Sequence, residues 1–277
     1  MDPRLQRRVQ RYGWDLAADD YETLWQAQLA EAQARMLARV ALRPGETVLD
    51  VACGTGLVTL QAAQAVGPQG RVIGVDLSAR MVQAAEQRAH ARGLHNTRFA
   101  RMDAEQLALA DASSDVALCA LGLMYLPEPE QAVREMARVL RPGGRIGLAV
   151  WGERAHCGWS ALFPIVDAEV STEVCPLFFR LGQADTLARL CTDVELSDVH
   201  TERIHTTLRY ADGDEACRAA FAGGPVALAW SRFGDAARAR ACARYLEAIA
   251  PWRAGSGTGY AVPVEFVIVT GCKTAPF

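Results

Sequence analysis

The chain has 277 residues, 51% hydrophobic and 22% charged, with a formal net charge of −3. That composition excludes a disordered chain and allows a sizeable buried core. The acidic balance speaks against a nucleic-acid partner, and no apolar run reaches the ~18 residues that a membrane span requires.

Residues 1–40 read as helical. Leu24, Trp25, Leu29, Ala32, Met36, Leu37 and Val40 recur at helical spacing as one apolar stripe. Arg4, Arg7, Arg8 and Arg11 read as a solvated face. Arg43-Pro44-Gly45 stops the helix. Strands and helices then alternate. The run 47–51 is a buried strand and 56–66 a helix; 71–76 is the next strand. Ser78 caps a helix through Ala91, with Gly93 as its stop. Strands follow at 97–102 and 115–119, then a helix at 128–140 ended by Pro142-Gly143-Gly144, then a strand at 145–151. Continuous apolar strands alternating with helices predict a parallel sheet covered on both faces, with the loops after the strands gathered on one edge. Residues 152–255 read as helices and aromatic residues with one strand near 194–210, and 264–270 as a closing strand.

The motif that draws the eye is Val48-Leu49-Asp50-Val51-Ala52-Cys53-Gly54-Thr55-Gly56, which leaves a strand and enters a helix. Its glycines let backbone approach a ligand closely, but many nucleotide folds share Gly-x-Gly. Asp50 would repel a pyrophosphate and attract a ligand carrying ammonium and sulfonium groups. Thr59 stands where a dinucleotide fingerprint has its third glycine or alanine. Asp76, twenty residues after Gly56, ends the next strand and could accept two ribose hydroxyls. Together Asp50 and Asp76 favour a cationic nucleoside.

Four blocks resemble class I methyltransferases dependent on S-adenosylmethionine (SAM), and most nearly the ubiquinone/menaquinone-biosynthesis type. They are residues 49–56, Gly74-Val75-Asp76-Leu77-Ser78 with Met81, Asp103-Ala104, and residues 138–144. Ala52 stands where many members carry glycine. The resemblance implies a Rossmann-like, doubly wound α/β fold with a mostly parallel seven-stranded sheet, N-terminal lid helices and a C-terminal helical cap. It implies a lid over 1–40, a SAM-binding core over 41–151, a substrate cap containing core elements over 152–262, and a closing strand over 263–277. Asp50, Ala52, Cys53, Gly54, Thr55 and Gly56 would line the methionine part of SAM. Asp76 would hold the ribose, Leu77 and Met81 would pack on adenine, and Asp103, beside Met102 and Ala104, would accept from the adenine amino group. Ala120, Leu121 and Gly122 would lie near the sulfur, and Tyr21, in a stretch like the lid helices of small-molecule methyltransferases, could reach the SAM carboxylate or the acceptor.

Methyl transfer from a sulfonium expels a neutral leaving group, so positioning and desolvation can supply most of the effect. A base is required only for a weakly acidic acceptor. The candidates are His156, after the fifth strand, and Tyr125, after the fourth. Trp151, Trp159, Phe163, Phe178, Phe179, Phe221, Trp230 and Trp252 could line an apolar acceptor pocket, although most should simply build the cap's core. Gly255 to Tyr260 reads as a hinge or lid segment. The eight cysteines, at 53, 119, 157, 175, 191, 217, 242 and 272, form no C-x-x-C pair and no cluster with histidine, so reduced thiols and no metal are expected. The start MDPRLQRRVQ lacks a signal core, which suits a cytoplasmic enzyme. The expected partner is a small-molecule acceptor, with a homodimer left open. The competing readings are an NAD-dependent oxidoreductase and a non-catalytic SAM-binding protein. The first lacks a Tyr-x-x-x-Lys pair, since Lys273 is the only lysine.

Overall fold

The computed structural model describes residues 2–170, 178–255 and 257–274. Seven strands form one sheet in the order β3-β2-β1-β4-β5-β7-β6. They are β1 (Thr47–Val51), β2 (Arg71–Asp76), β3 (Thr97–Arg101), β4 (Ser114–Ala120), β5 (Leu140–Trp151), β6 (Leu196–Tyr210) and β7 (Tyr260–Lys273). The first five run parallel, and β7 lies antiparallel between β5 and β6. The sheet is the doubly wound, mostly parallel one expected. The chain reverses its direction of winding between β1 and β4, where such folds open a crevice at the strand C-termini.

The central strands are buried because they are apolar throughout. Val48, Leu49, Val116, Ala117, Leu118, Ile146 and Leu148 are all inaccessible to solvent, as a strand covered on both faces requires. The helices between them are α2 (Leu57–Val66), α3 (Ala79–Ala91) and α4 (Pro129–Val139). Ser78 caps α3 as its residue type predicts, its hydroxyl accepting from the Met81 amide at 3.1 Å.

The expected N-terminal lid helices are one continuous helix, α1 (Pro3–Val40). Its second half packs on the sheet through Leu29, Ala32, Met36 and Val40, all buried. It ends at Ala41, whose φ of 53° turns the chain before Pro44 is reached. Helix α4 also stops earlier than expected. Leu140 already pairs with Ser114, and the register then jumps to Arg145 opposite Val116, so residues 141–144 bulge outward and lie within β5.

Beyond β5 come α5 (Leu162–Glu169), α6 (Thr186–Asp193), the short α7 (Gly213–Cys217) and α8 (Ala227–Trp230), and α9 (Asp235–Ile249). The strand expected within this region is β6, the outer strand of the core sheet. The closing strand is longer than its apolar stretch because β6 pairs with it from Tyr210↔Tyr260 to Leu196↔Lys273. The stretch expected as a hinge is a closed turn feeding β7, with the Ala254 amide donating to the Gly259 carbonyl at 2.9 Å; Ser256 lies outside the described residues. The cysteines at 53, 119, 157, 191, 217, 242 and 272 are free, and Cys175 lies outside the described residues. Among the described residues no helix is long and apolar enough to cross a membrane.

Candidate functional site

The loop after β1 folds back on itself through three residues with positive φ: Ala52 at 54°, Gly54 at 54° and Gly56 at 84°. Ala52 pays the penalty of a side chain in the left-handed region. The loop is fastened to β2 by the Cys53 amide, which donates to the Val75 carbonyl at 3.0 Å. Opposite it, Gly122 after β4 lies so close that an added Cβ would collide with the Ala52 methyl.

Asp76 ends β2 with both carboxylate oxygens anchored. Oδ2 accepts from the Gly54 amide at 2.9 Å and Oδ1 from the Ser78 amide at 2.8 Å. Burial raises its pKa above the ordinary carboxylate value, and these amides work against the rise. Asp103, after β3, accepts from the Glu105 amide at 3.0 Å. Burial raises its pKa too, opposed by the Arg7 guanidinium, whose Nε lies 3.1 Å from Oδ2. Arg7 also pairs with the buried Glu105. The basic run expected as solvent-facing therefore sends one arginine into the site.

Asp76 and Asp103 flank one end of a cavity enclosing about 1010 Å³ of empty space, its open mouth included. Leu77, Met81, Met102 and Ala104 line the apolar slot at this end, with Gly54 and Ala52 beside it. Ala120, Leu121, Gly122 and Tyr125 form the next stretch of wall, and Tyr21 faces them from α1. Burial first, and Asp76 second, push the Tyr21 phenol well up, so it stays protonated and can donate. The rest of the wall is aromatic. Trp25, Trp151 and Trp159 all line the cavity, and the rings of Trp151 and Trp159 lie 4.9 Å apart. Trp14, also on the wall, meets Tyr125 edge-on at 5.0 Å.

Several expected residues lie elsewhere. Asp50 sits below the glycine loop, 1% exposed, and faces a small adjoining cavity that also touches Tyr21, Cys53 and Gly54. Thr59, the departure from the dinucleotide fingerprint, donates its hydroxyl to Asp50 Oδ2 at 2.5 Å. Burial pushes Asp50 up to about 7, the Thr59 hydroxyl opposing the shift. Thr55 is buried behind the loop and accepts from Arg88, and Gly56 opens α2 against Ala85. His156 is not on the cavity wall. It sits on a short turn with Nδ1 3.2 Å from Glu265 Oε2 on β7, so its expected role as a base fails on position. Of the eight cap aromatics, Trp151 and Trp159 reach the cavity. Phe163, Phe178 and Phe179 pack behind Trp159, Phe221 stacks on Trp230, and Trp252 lies against Gly158.

The expectations missed Arg7, Gln10 and the Gly224-Pro225 edge of the wall. Spacing along the chain carries no signal for them, because α1 and the loop before α8 meet the cavity only through tertiary packing.

Residues 48–144, which carry the glycine loop, match the family described as a methyltransferase domain. Among curated proteins, the demethylmenaquinone methyltransferase of Geobacillus stearothermophilus is 40% identical over 109 residues, which is 39% of this chain and 47% of that one. The enzyme of the same name from Listeria welshimeri is 34% identical over 122 residues, 44% of this chain and 52% of the relative. The chain thus spans about half the length of the curated relatives it matches. Solved structures share the fold over most of the chain. A methyltransferase-like protein from Bacillus halodurans aligns at TM-score 0.61 and 19% identity, covering 88% of this chain and 100% of its own. The [4+2]-cyclase SpnF aligns at TM-score 0.60 and 24% identity, covering 89% of this chain and 81% of its own.

Proposed function

We propose that the protein transfers a methyl group from SAM to an apolar or aromatic small molecule. The observation that carries this reading is the pair Asp76 and Asp103, set at the ends of neighbouring strands across an apolar slot and continuous with a tryptophan-lined chamber. A nucleoside fits the acid-flanked end and a flat apolar acceptor the aromatic end. A pyrophosphate fits less well. The acid Asp50 lies beneath the loop, and Arg7, the guanidinium on the wall, is already held by Asp103 and Glu105.

SAM, when bound, supplies a methyl group on a sulfonium that leaves as a neutral thioether. Asp76, pinned by the Gly54 and Ser78 amides, keeps lone pairs for the ribose hydroxyls without reorganising. Leu77 and Met81 would pack on the adenine, and Asp103 would accept a hydrogen bond from its amino group once Arg7 yields. Tyr21, whose ring lies beside Gly54 and whose phenol burial keeps protonated, would donate to the SAM carboxylate. Trp151, Trp159 and Tyr125 orient the acceptor and exclude water, which is the larger part of catalysis for a displacement of this kind. Tyr125, a polar side chain on the cavity wall, would take the positioning role that His156 cannot.

A small-molecule acceptor rather than nucleic acid as partner belongs to the same reading, supported by the net charge of −3, as do a cytoplasmic setting and room for a homodimer. The test is a parallel calorimetric titration with SAM, S-adenosylhomocysteine and NAD, followed by isotopic methyl transfer to phenols, quinols and amines. The reading expects binding of the first two ligands and labelling of an aromatic acceptor. Binding of NAD alone overturns it.

A further inference from the structure

The histidine that the cavity leaves out belongs to a second cluster. Glu265 on β7 is the direct cross-strand partner of His205 on β6, so their side chains share a face of the sheet with Arg203, two residues away. His156 arrives from the turn after β5. Gly152 makes room for this meeting: its amide donates to the Glu265 carbonyl at 2.7 Å, and any Cβ there would collide with the Glu265 carboxylate. The Glu265 side chain is 2% exposed, while those of His156 and His205 are 49% and 66% exposed. Spacing in sequence suggested no metal ligands, and the fold brings three potential donors together from distant segments.

We propose that His156, His205 and Glu265 form a three-ligand site for a zinc-class divalent cation, separate from the cavity. All three donor atoms lie within 4.8 Å of one another. His156 Nδ1 is 3.2 Å from Glu265 Oε2, and His205 Nε2 is 3.5 Å from Oε1. A tetrahedral zinc centre holds its ligand atoms about 3.3 Å apart. Oε2 is fixed by the Glu153 amide at 2.7 Å and by Arg203 Nη1 at 3.1 Å, which are the outer partners that orient a ligating carboxylate. Oε1 is left on the side of His205, and the exposed histidines leave the fourth position to water. Two imidazoles and one carboxylate suit zinc rather than the all-oxygen preference of calcium or magnesium. Arg203 already balances the charge of Glu265, so two further imidazoles converging on the same carboxylate are unexplained by charge pairing alone. Cation binding would replace the direct histidine–carboxylate approaches and tie the turn after β5 to β6 and β7.

The full chain, stripped with a chelator, is titrated with Zn²⁺ alone by calorimetry and by thermal denaturation. One site is expected, with a raised melting temperature. His205→Ala and His156→Ala, both at exposed positions, should each weaken it at least tenfold and remove the thermal shift. A Cys217→Ser/Cys242→Ser variant should keep the site. Zinc binding unchanged in both histidine variants, or none at micromolar metal, overturns the proposal. SAM binding at the cavity is read separately in each variant, so the two ideas fail independently.

Discussion

Arg7, in the second turn of α1, bridges Asp103 and Glu105 beyond β3 and so closes one end of the cavity. The same Asp103 carboxylate is the group proposed to accept from adenine. Arg7 therefore competes with the proposed cofactor for one acceptor. Arg7→Ala should tighten binding of S-adenosylhomocysteine a few-fold and loosen the first turns of α1. Calorimetry and amide hydrogen exchange over residues 3–12 check both halves; unchanged affinity with unchanged exchange removes the competition.

Asp76 is the most constrained acid on the wall. In Asp76→Asn, the Gly54 and Ser78 amides would face an amide group that can accept at only one of its two atoms. Loss of two charge-assisted bonds to a ribose should weaken cofactor binding about 100-fold, the equivalent of ~3 kcal/mol. An affinity within a factor of three of the parent would place the ribose elsewhere.

The buried Asp50 predicts a pH dependence. Its folded-state pKa of about 7 stands above the ordinary value of 3.8. The native protein thus holds a proton that the unfolded chain has released across this window. Stability from this group is full below the ordinary value and declines as pH rises from about 4 to about 7. Urea midpoints for the parent and Asp50→Asn should diverge across that range, the parent falling more steeply, by up to a few kcal/mol. Parallel curves would mean that Asp50 is ionised throughout.

Gly122 meets the Ala52 methyl and, at 3.0 Å, the Cys119 sulfur at the position of a missing Cβ. Both neighbours belong to the wall of the site or to the strand that carries it, and neither is a long side chain that can swing away. Gly122→Ala should cost about 1–3 kcal/mol and weaken the cofactor by shifting the glycine loop. Thermal denaturation and SAM titration of one sample check the pair of effects; a neutral substitution would mean that the loop gives way freely.

From β1 to α4 the architecture was legible nearly residue by residue, because each parallel βα unit carries its own local signals: an apolar run, a cap such as Ser78, a stop such as Gly93. Asp76, Leu77, Met81, Met102, Asp103 and Ala104, grouped in the sequence by the family resemblance, all line one cavity because strand ends converge on one edge. What stayed hidden depends on contacts between distant segments. Nothing near Arg7 foretells Asp103. Nothing near His156 foretells that Glu265 draws it away from the cavity. The full length of β7 is set by its pairing with β6 rather than by its own apolar stretch. Asp50 reads as facing the ligand from its charge at the strand end, and only its bond to Thr59 and its depth of burial show that it lies beneath the loop.

Because α1 is a single rod, the residues that wall the cavity, Trp14 and Tyr21, are mechanically continuous with Met36 and Val40 beneath the sheet. A loop-borne flap could swing aside at little energetic cost, but this rod has its far end clamped. Any widening of the cavity on this side must then proceed by unwinding or tilting the leading turns rather than by the hinging of a loop.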